Sequence, residues 1–245
     1  MPRATATDVL LALLGAPAPA LDGTALSDRL TEAGRPTGPA HLLAHLLELE
    51  GSGHVSVVRS PSYRFALTPK GETAAYELGP GQPIDVVLVM VDLVGYVSYT
   101  AANGDSAAHL VAQRLQQVGD EELRARGGWL VKALGDGFLG AIEPTADAAA
   151  LARSVAERCQ DSAGDSGRDG ERWQLRAAAH HGRPICHRRD RFGADVNLVA
   201  RLCDAARPGE LLVSTGTDGE EGAATESLAV RGLPEPVPVS RRALA

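Results

Sequence analysis

An apolar, β-branched run from Val86 to Val91 ends in Asp92, and a second aspartate, Asp136, sits in the middle of KALGDGFLGAI. The run VVLVMVD is too short for a buried helix and reads as a central strand with a carboxylate at its C-terminal rim. Two further apolar runs, Trp129 to Leu134 and Phe138 to Ile142, are joined by Gly135-Asp136-Gly137, which supplies the glycines of a tight hairpin. Asp136 is therefore expected on a turn tip. Two acids at strand ends of one sheet can share a divalent-ion site, because Mg²⁺ and Mn²⁺ take hard oxygen ligands. Taken singly, each also has an ordinary reading, Asp92 as a helix cap and Asp136 as a turn residue.

A helix is written into DRFGADVNLVARLCDAARPGELLVS. Val196, Val199, Ala200 and Leu202 to Cys203 recur at helical spacing, Asp195 suits the first turn, and Pro208-Gly209 stops the element before the strand LLVS. Asn197 and Arg201 lie four apart and so share a face. An amide and a guanidinium aimed the same way call for a polar ligand, or for an ion-pair partner such as Asp204 or Asp195.

Taken together and in this order, VDLVGYVSY, VKALGDGFLGAI, LRAAAHHG and DRFGADVNLVARL resemble the class III nucleotidyl cyclase catalytic domain, over Pro83 to Val239. The resemblance implies an α+β, ferredoxin-like domain over residues 83–245, a central mixed or antiparallel sheet with flanking helices. It also implies roles. Asp92 and Asp136 are the metal-binding pair for two Mg²⁺ or Mn²⁺ ions, Lys132 and Asp190 read the purine edge, and Asn197 and Arg201 act on the transition state. The implied enzyme is a homodimer that converts ATP to 3′,5′-cyclic AMP and pyrophosphate, with sites shared between subunits. The chain departs from the pattern at Tyr96, where many members have Phe, and at Val97, where many have Thr. No lysine follows Lys132 to clamp a triphosphate, and Arg231 is the nearest substitute.

The chemistry can be rebuilt without the family. Two carboxylates holding two divalent ions about 4 Å apart would lower the pKa of a ribose 3′-hydroxyl and balance charge on departing pyrophosphate. Backbone amides of Leu93, Val94, Gly95 and Tyr96, at a strand-to-helix turn, could cradle the β- and γ-phosphates. Adenine presents the acceptor N1 beside the donor N6, which a lysine and an aspartate complement, whereas guanine reverses the polarity. Cytosine offers the same polarity as adenine, so Lys132 and Asp190 select ATP over GTP without excluding CTP. The other readings are a cyclase for CTP, UTP or GTP, and a transcription regulator whose cyclase-like domain senses a nucleotide.

Residues 1–80 have a different texture. Helical stretches at Thr7 to Leu14, Ala25 to Ala33 and Pro39 to Glu50 precede HVSVV, a Ser60-Pro61-Ser62 turn and YRFAL, and Thr68-Pro69 starts a fourth helix. Leu42, Leu43, Leu46, Leu47 and Leu49 are expected on the apolar side of the third. This order is that of a winged helix, and LTPKG resembles bacterial winged-helix regulators. LGPGQP, Leu78 to Pro83, reads as a linker. The segment carries six basic against eight acidic side chains. DNA contact is left open by Arg59 and Arg64 beside the wing but disfavoured by that balance. A regulatory or dimer-forming role is expected instead.

The 245 residues suffice for one large or two modest domains, and the net charge of −7 offers no general attraction to nucleic acid or anionic membrane. Cys159, Cys186 and Cys203 have no metal-type spacing and read as reduced thiols of a cytoplasmic protein. VLLALLGAPAPA has the small and apolar residues of a secretory signal, but Asp8 stands directly before it. No stretch approaches the roughly 18 apolar residues of a membrane span.

Overall fold

A computed structural model describes residues 3–16, 20–59, 62–78, 83–161, 173–187, 190–217 and 226–244. The wing turn, the linker and the two polar loops QDSAGDSGRDGER and GTDGEEGAATE fall wholly or largely outside these residues. The chain divides into two compact units, residues 1–84 with 184–192, and residues 85–183 with 193–245.

The first unit runs α1 (Ala6–Leu14), β1 (Leu21–Asp22), α2 (Gly23–Glu32), α3 (Pro39–Gly51), β2 (Val55–Val58), β3 (Arg64–Leu67) and α4 (Pro69–Leu78). Its ends follow from local chemistry. Thr5 and Asp8 form a reciprocal cap on α1, and Asp22 caps α2 through the Ala25 amide. The Thr68 hydroxyl accepts from the Gly71 amide at 3.1 Å and donates to the Gly53 carbonyl at 2.7 Å, tying the start of α4 to the turn before β2. The sheet order is β1-β3-β2, all antiparallel, and β1 is a strand the sequence reading did not include. Val9, Leu26, Leu30, Leu42, Leu46, Leu49, Phe65 and Leu67 fill the core, each large side chain contributing about 1.5–3 kcal/mol of burial. The expectation for α3 is corrected here. Leu42, Leu46 and Leu49 are buried, but Leu43 and Leu47 are 52% and 57% exposed. Positions i, i+4 and i+7 make one stripe, and their immediate successors lie about 100° around the helix.

The second unit opens with β4 (Val86–Leu93), α5 (Tyr96–Asn103), α6 (Asp105–Ala125), β5 (Trp129–Ala133), β6 (Gly137–Ile142), α7 (Ala148–Asp161) and β7 (Leu175–Gly182). A hairpin of β8 (Ile185–His187) and β9 (Asp190–Phe192) belongs to the first unit, although the sequence reading placed it in the second domain. The second unit resumes with α8 (Ala194–Ala205), β10 (Glu210–Ser214), β11 (Glu226–Leu228) and β12 (Val237–Ala243). Its seven-stranded sheet has the order β11-β12-β10-β7-β4-β6-β5. Only β7 and β10 pair in parallel, and α8 lies on the connection between them.

β4 is central, as its composition requires. Val87, Val89, Val91 and Leu93 join the core made with Leu115, Val118 and Leu123 of α6 and Leu151 and Val155 of α7. The alternate residues Leu88, Met90 and Asp92 point to the opposite face. α8 packs on β4 and β7. Both faces being covered explains why the run has no polar alternation until its last residues. Among the described residues no helix is long and apolar enough to cross a membrane.

Candidate active site

Asp92 is the penultimate residue of β4, and its strand register fixes its neighbours. It stands opposite Gly137 on β6 and opposite Arg176 on β7. The hairpin carrying Asp136 is held against it by the Leu93 amide, which donates to the Asp136 carbonyl at 2.9 Å. The Leu134 amide closes the turn onto the Gly137 carbonyl, and Gln116 of α6 donates from Nε2 to the Gly135 carbonyl, both at 2.9 Å. Gly137 is required by close approach. A Cβ there would lie 2.5 Å from the Val91 carbonyl oxygen and 3.1 Å from Asp92 Oδ1.

Arg176, which the sequence reading gave no role, donates from Nε and Nη2 to Asp92 Oδ2 at 2.9 and 2.6 Å. Its guanidinium also meets Asp204 of α8 at 3.5 Å, and Arg201 meets Asp204 at 3.8 Å. A chain of ion pairs thus runs Asp92, Arg176, Asp204, Arg201. Burial raises the Asp92 carboxyl above its ordinary range, and the charges of Asp136 and Asp204 push the same way, against the Arg176 guanidinium. Two partly buried carboxylates crowding one another suit a divalent cation whose remaining ligands are phosphate oxygens. Among the described residues no cluster of three or more His, Cys, Asp or Glu offers a complete metal cage.

The strand-to-helix turn modifies one expectation. The amides of Leu93 and Val94 are taken by the carbonyls of Asp136 and Gln174, both at 2.9 Å, so neither can turn to a phosphate. Strand pairing claimed them. Gly95 is left-handed at φ 78° and caps α5 without a side-chain bond, so the turn can offer only Gly95, Tyr96 and the next amides of α5, which lack intrahelical acceptors.

On α8, Val199, Leu202 and Cys203 are buried, whereas Asn197 and Arg201 are exposed on one face. The Arg201–Asp204 pair is long and its partners are more than half exposed, so it holds Arg201 only weakly. The first turn of α8 is anchored firmly. Asp195 accepts from the Arg183 amide at 2.8 Å and faces His180 Nε2 at 3.2 Å, and His180 Nδ1 lies 2.7 Å from Ser214 Oγ. Asp195 therefore serves the scaffold and does not pair with Arg201.

Lys132 is exposed on β5, an edge strand, where a bulge between Leu130 and Lys132 shifts the pairing with β6. Asp190 opens β9 in the other unit and accepts from the Arg191 amide at 2.8 Å. Arg231 is exposed in a turn before β12. Burial pushes the Cys203 thiol to about 12 and the Cys159 thiol to about 11, which makes both unreactive.

No protein-family model matches the chain. An adenylate cyclase of Glutamicibacter nicotianae is 28% identical over 167 residues, 65% of this chain, and the chain spans 40% of that relative's length. Among solved structures, the catalytic core of a rhodopsin-guanylyl cyclase with converted specificity, in complex with ATPalphaS, superposes with TM-score 0.53 at 18% identity. That match covers 66% of this chain and 99% of the other. The guanylyl cyclase Cya2 gives 0.52 at 16% identity, covering 64% and 91%. The adenylyl cyclase CyaB from P. aeruginosa gives 0.50 at 16%, covering 66% and 94%. At such identities the likeness speaks for the fold. The unit built on the seven-stranded sheet has the class III nucleotidyl cyclase fold.

Proposed function

We propose that the larger unit is an adenylate cyclase that works as a homodimer. The observation that carries this reading is the pairing of Asp92 and Asp136 at adjoining strand ends, locked by the Leu93 amide and by a glycine that admits no side chain. Asp92 and Asp136 would hold two Mg²⁺ or Mn²⁺ ions. When bound, such ions lower the pKa of the attacking hydroxyl and neutralise the leaving pyrophosphate.

The ribose 3′-oxygen forms a bond to the α-phosphorus as the bond to the pyrophosphate oxygen breaks, and the hydroxyl proton passes to solvent. Arg201 offsets charge on the α-phosphate and Asn197 orients the ribose; losing either costs on the order of 10²-fold in turnover. Lys132 donates to adenine N1 and Asp190 accepts from N6. The amides of Gly95 and Tyr96 face the terminal phosphates at the start of α5. An exposed catalytic face on α8 and an exposed lysine on an edge strand suit completion by a second subunit.

We infer that the smaller unit is a regulatory winged helix, since helix, strand, helix, helix, hairpin and helix follow in that order. The outward face of α3 bears Leu43 and Leu47 rather than cations, and Arg59 pairs with Glu50 at 3.4 Å. That surface lacks the positive charge that phosphate binding demands, and strong DNA affinity at physiological salt is not expected.

Incubating the purified chain with ATP and Mn²⁺ or Mg²⁺, and analysing products by mass spectrometry, tests the central claim. We expect 3′,5′-cyclic AMP and pyrophosphate. Tight ATP binding without cyclic product under either metal would replace the enzyme with a nucleotide-sensing regulator. A larger yield from CTP, UTP or GTP would reassign the base.

A further inference from the structure

Arg191 is the only charged side chain among the described residues that is buried, at 5% exposure. Desolvating a guanidinium is costly unless its donors find acceptors. Arg191 donates from Nη1 to the Asp190 carbonyl at 3.2 Å and from Nη2 to the Ala16 carbonyl at 3.3 Å. Ala16 lies just past the C-terminus of α1, where carbonyls lack intrahelical donors and the helix dipole is negative. Arg29 of α2 serves the same end, donating to the carbonyls of Ala12 at 3.2 Å and Gly15 at 2.6 Å. The end of α1 thus collects two arginines, one from its neighbouring helix and one from a hairpin far along the chain.

The hairpin is fastened at its base too. Pro83 bridges Ile185, and the Ile84 amide donates to the Pro184 carbonyl at 3.2 Å. On its other side the chain leaves the hairpin at Gly193, whose φ of 130° is open only to glycine, and then enters α8. α8 has its own anchor in Asp195, held by Arg183 and His180. The segment bearing Asp190 is therefore fixed by the N-terminal unit, while the helix bearing Asn197 and Arg201 is fixed by the sheet.

We propose that Arg191 is a positioning residue for base recognition, docking the Asp190 hairpin on the end of α1 so that the N-terminal unit sets how well the nucleotide base is read. The proposal rests on the reading of Asp190 as the adenine acceptor. The contact of Arg191 with the end of α1 lies within the first unit, whereas Asp92, Asp136 and the α8 residues belong to the second. Regulation through this route changes base discrimination and KM before it changes metal binding.

The test uses the full chain with Arg191→Met, Arg191→Lys and Asp190→Ala in parallel. Three quantities are read: the ratio of kcat/KM for ATP over GTP, nucleotide-free Mn²⁺ affinity, and hydrogen exchange of the peptide spanning residues 184–193. Arg191→Met is expected to lower the ratio about tenfold, the discrimination of one charged hydrogen bond, mostly through KM. Exchange in the hairpin should rise and Mn²⁺ affinity should hold. Arg191→Lys, which keeps a charged donor for the Ala16 carbonyl, should restore most of the ratio.

If Asp190→Ala lowers the ratio but Arg191→Met does not, the proposal is overturned and the base reading stands. If Asp190→Ala leaves the ratio unchanged, the base reading fails and takes the proposal with it. Parallel loss of kcat, Mn²⁺ affinity and folding stability would mark Arg191 as a packing residue only and overturn the proposal. Should Arg191→Met not fold, Arg191→Gln replaces it, and a wild-type ratio in a folded Arg191→Gln chain with a loosened hairpin is equally decisive against it.

Discussion

Arg176 donates two hydrogen bonds to a single oxygen of Asp92, Oδ2, from a strand position 84 residues away in sequence. The register of β4 against β7 places the two residues opposite one another, so the contact is a property of the sheet. The positive charge of the guanidinium opposes any cation that Asp92 would hold.

Removing that charge should therefore tighten metal binding. At a surface-like dielectric, unit charges about 4 Å apart interact by roughly 4 kcal/mol, so we expect Arg176→Met to raise nucleotide-free Mn²⁺ affinity by at least about tenfold. Titration followed by the paramagnetic resonance signal of free Mn²⁺ reads this directly. Unchanged or weaker binding would show that Asp92 is not a metal ligand.

Base specificity should invert with the polarity of the two proposed readers, Lys132 and Asp190. Exchanging Lys132 for Glu and Asp190 for Cys should lower ATP turnover and raise GTP turnover, because donor and acceptor trade places. Initial rates with both nucleotides measure it, and an unaltered ATP rate would mean neither residue touches the base.

Subunit complementation tests where the site is assembled. In the proposed homodimer Asp92 of one subunit would meet Arg201 of the other at one nucleotide, so Asp92→Ala and Arg201→Ala chains should each be inactive alone, yet a mixed dimer would hold one site with both defects and one with neither. Random exchange makes about half the dimers mixed, each with one good site of two, so activity should recover to roughly a quarter of wild type. Persistent inactivity after exchange is verified by native mass spectrometry would show that Asp92 and Arg201 of one site do not come from different subunits.

A stability prediction concerns the junction of α6 and α7. Glu122 is partly buried, which alone would raise its carboxyl, but hydrogen bonds from Arg158, Arg126 and Ser154 outweigh this and bring it to about 2 from 4.5. A depressed carboxylate stabilises the fold above its unfolded value, and that contribution fades as pH falls from about 4.5 towards about 2. Glu122→Gln should cost about 1–3 kcal/mol near neutral pH, and the deficit should shrink as the medium is acidified across that window. Urea unfolding at neutral pH and near pH 3 measures both, and a deficit that grew on acidification would contradict the ion-pair assignment.

What the sequence determined by itself is what short-range physics dictates. The apolar run of β4, the glycine-framed turn of Asp136, the Thr68 cap of α4 and the shared face of Asn197 and Arg201 all follow from side-chain period and backbone sterics over a few residues. Tertiary structure decided the rest. Arg176 meets Asp92 only because two distant strands pair in one register, and the amides of Leu93 and Val94 are consumed only because the Asp136 turn and Gln174 come alongside. Leu43 and Leu47 carry the same apolar signal as Leu42 and Leu46, and only the packed core separates the buried stripe from the exposed one. The hairpin of Asp190 joins the N-terminal unit because a buried guanidinium must find carbonyls, and those at the end of α1 are contributed by residues 175 positions earlier.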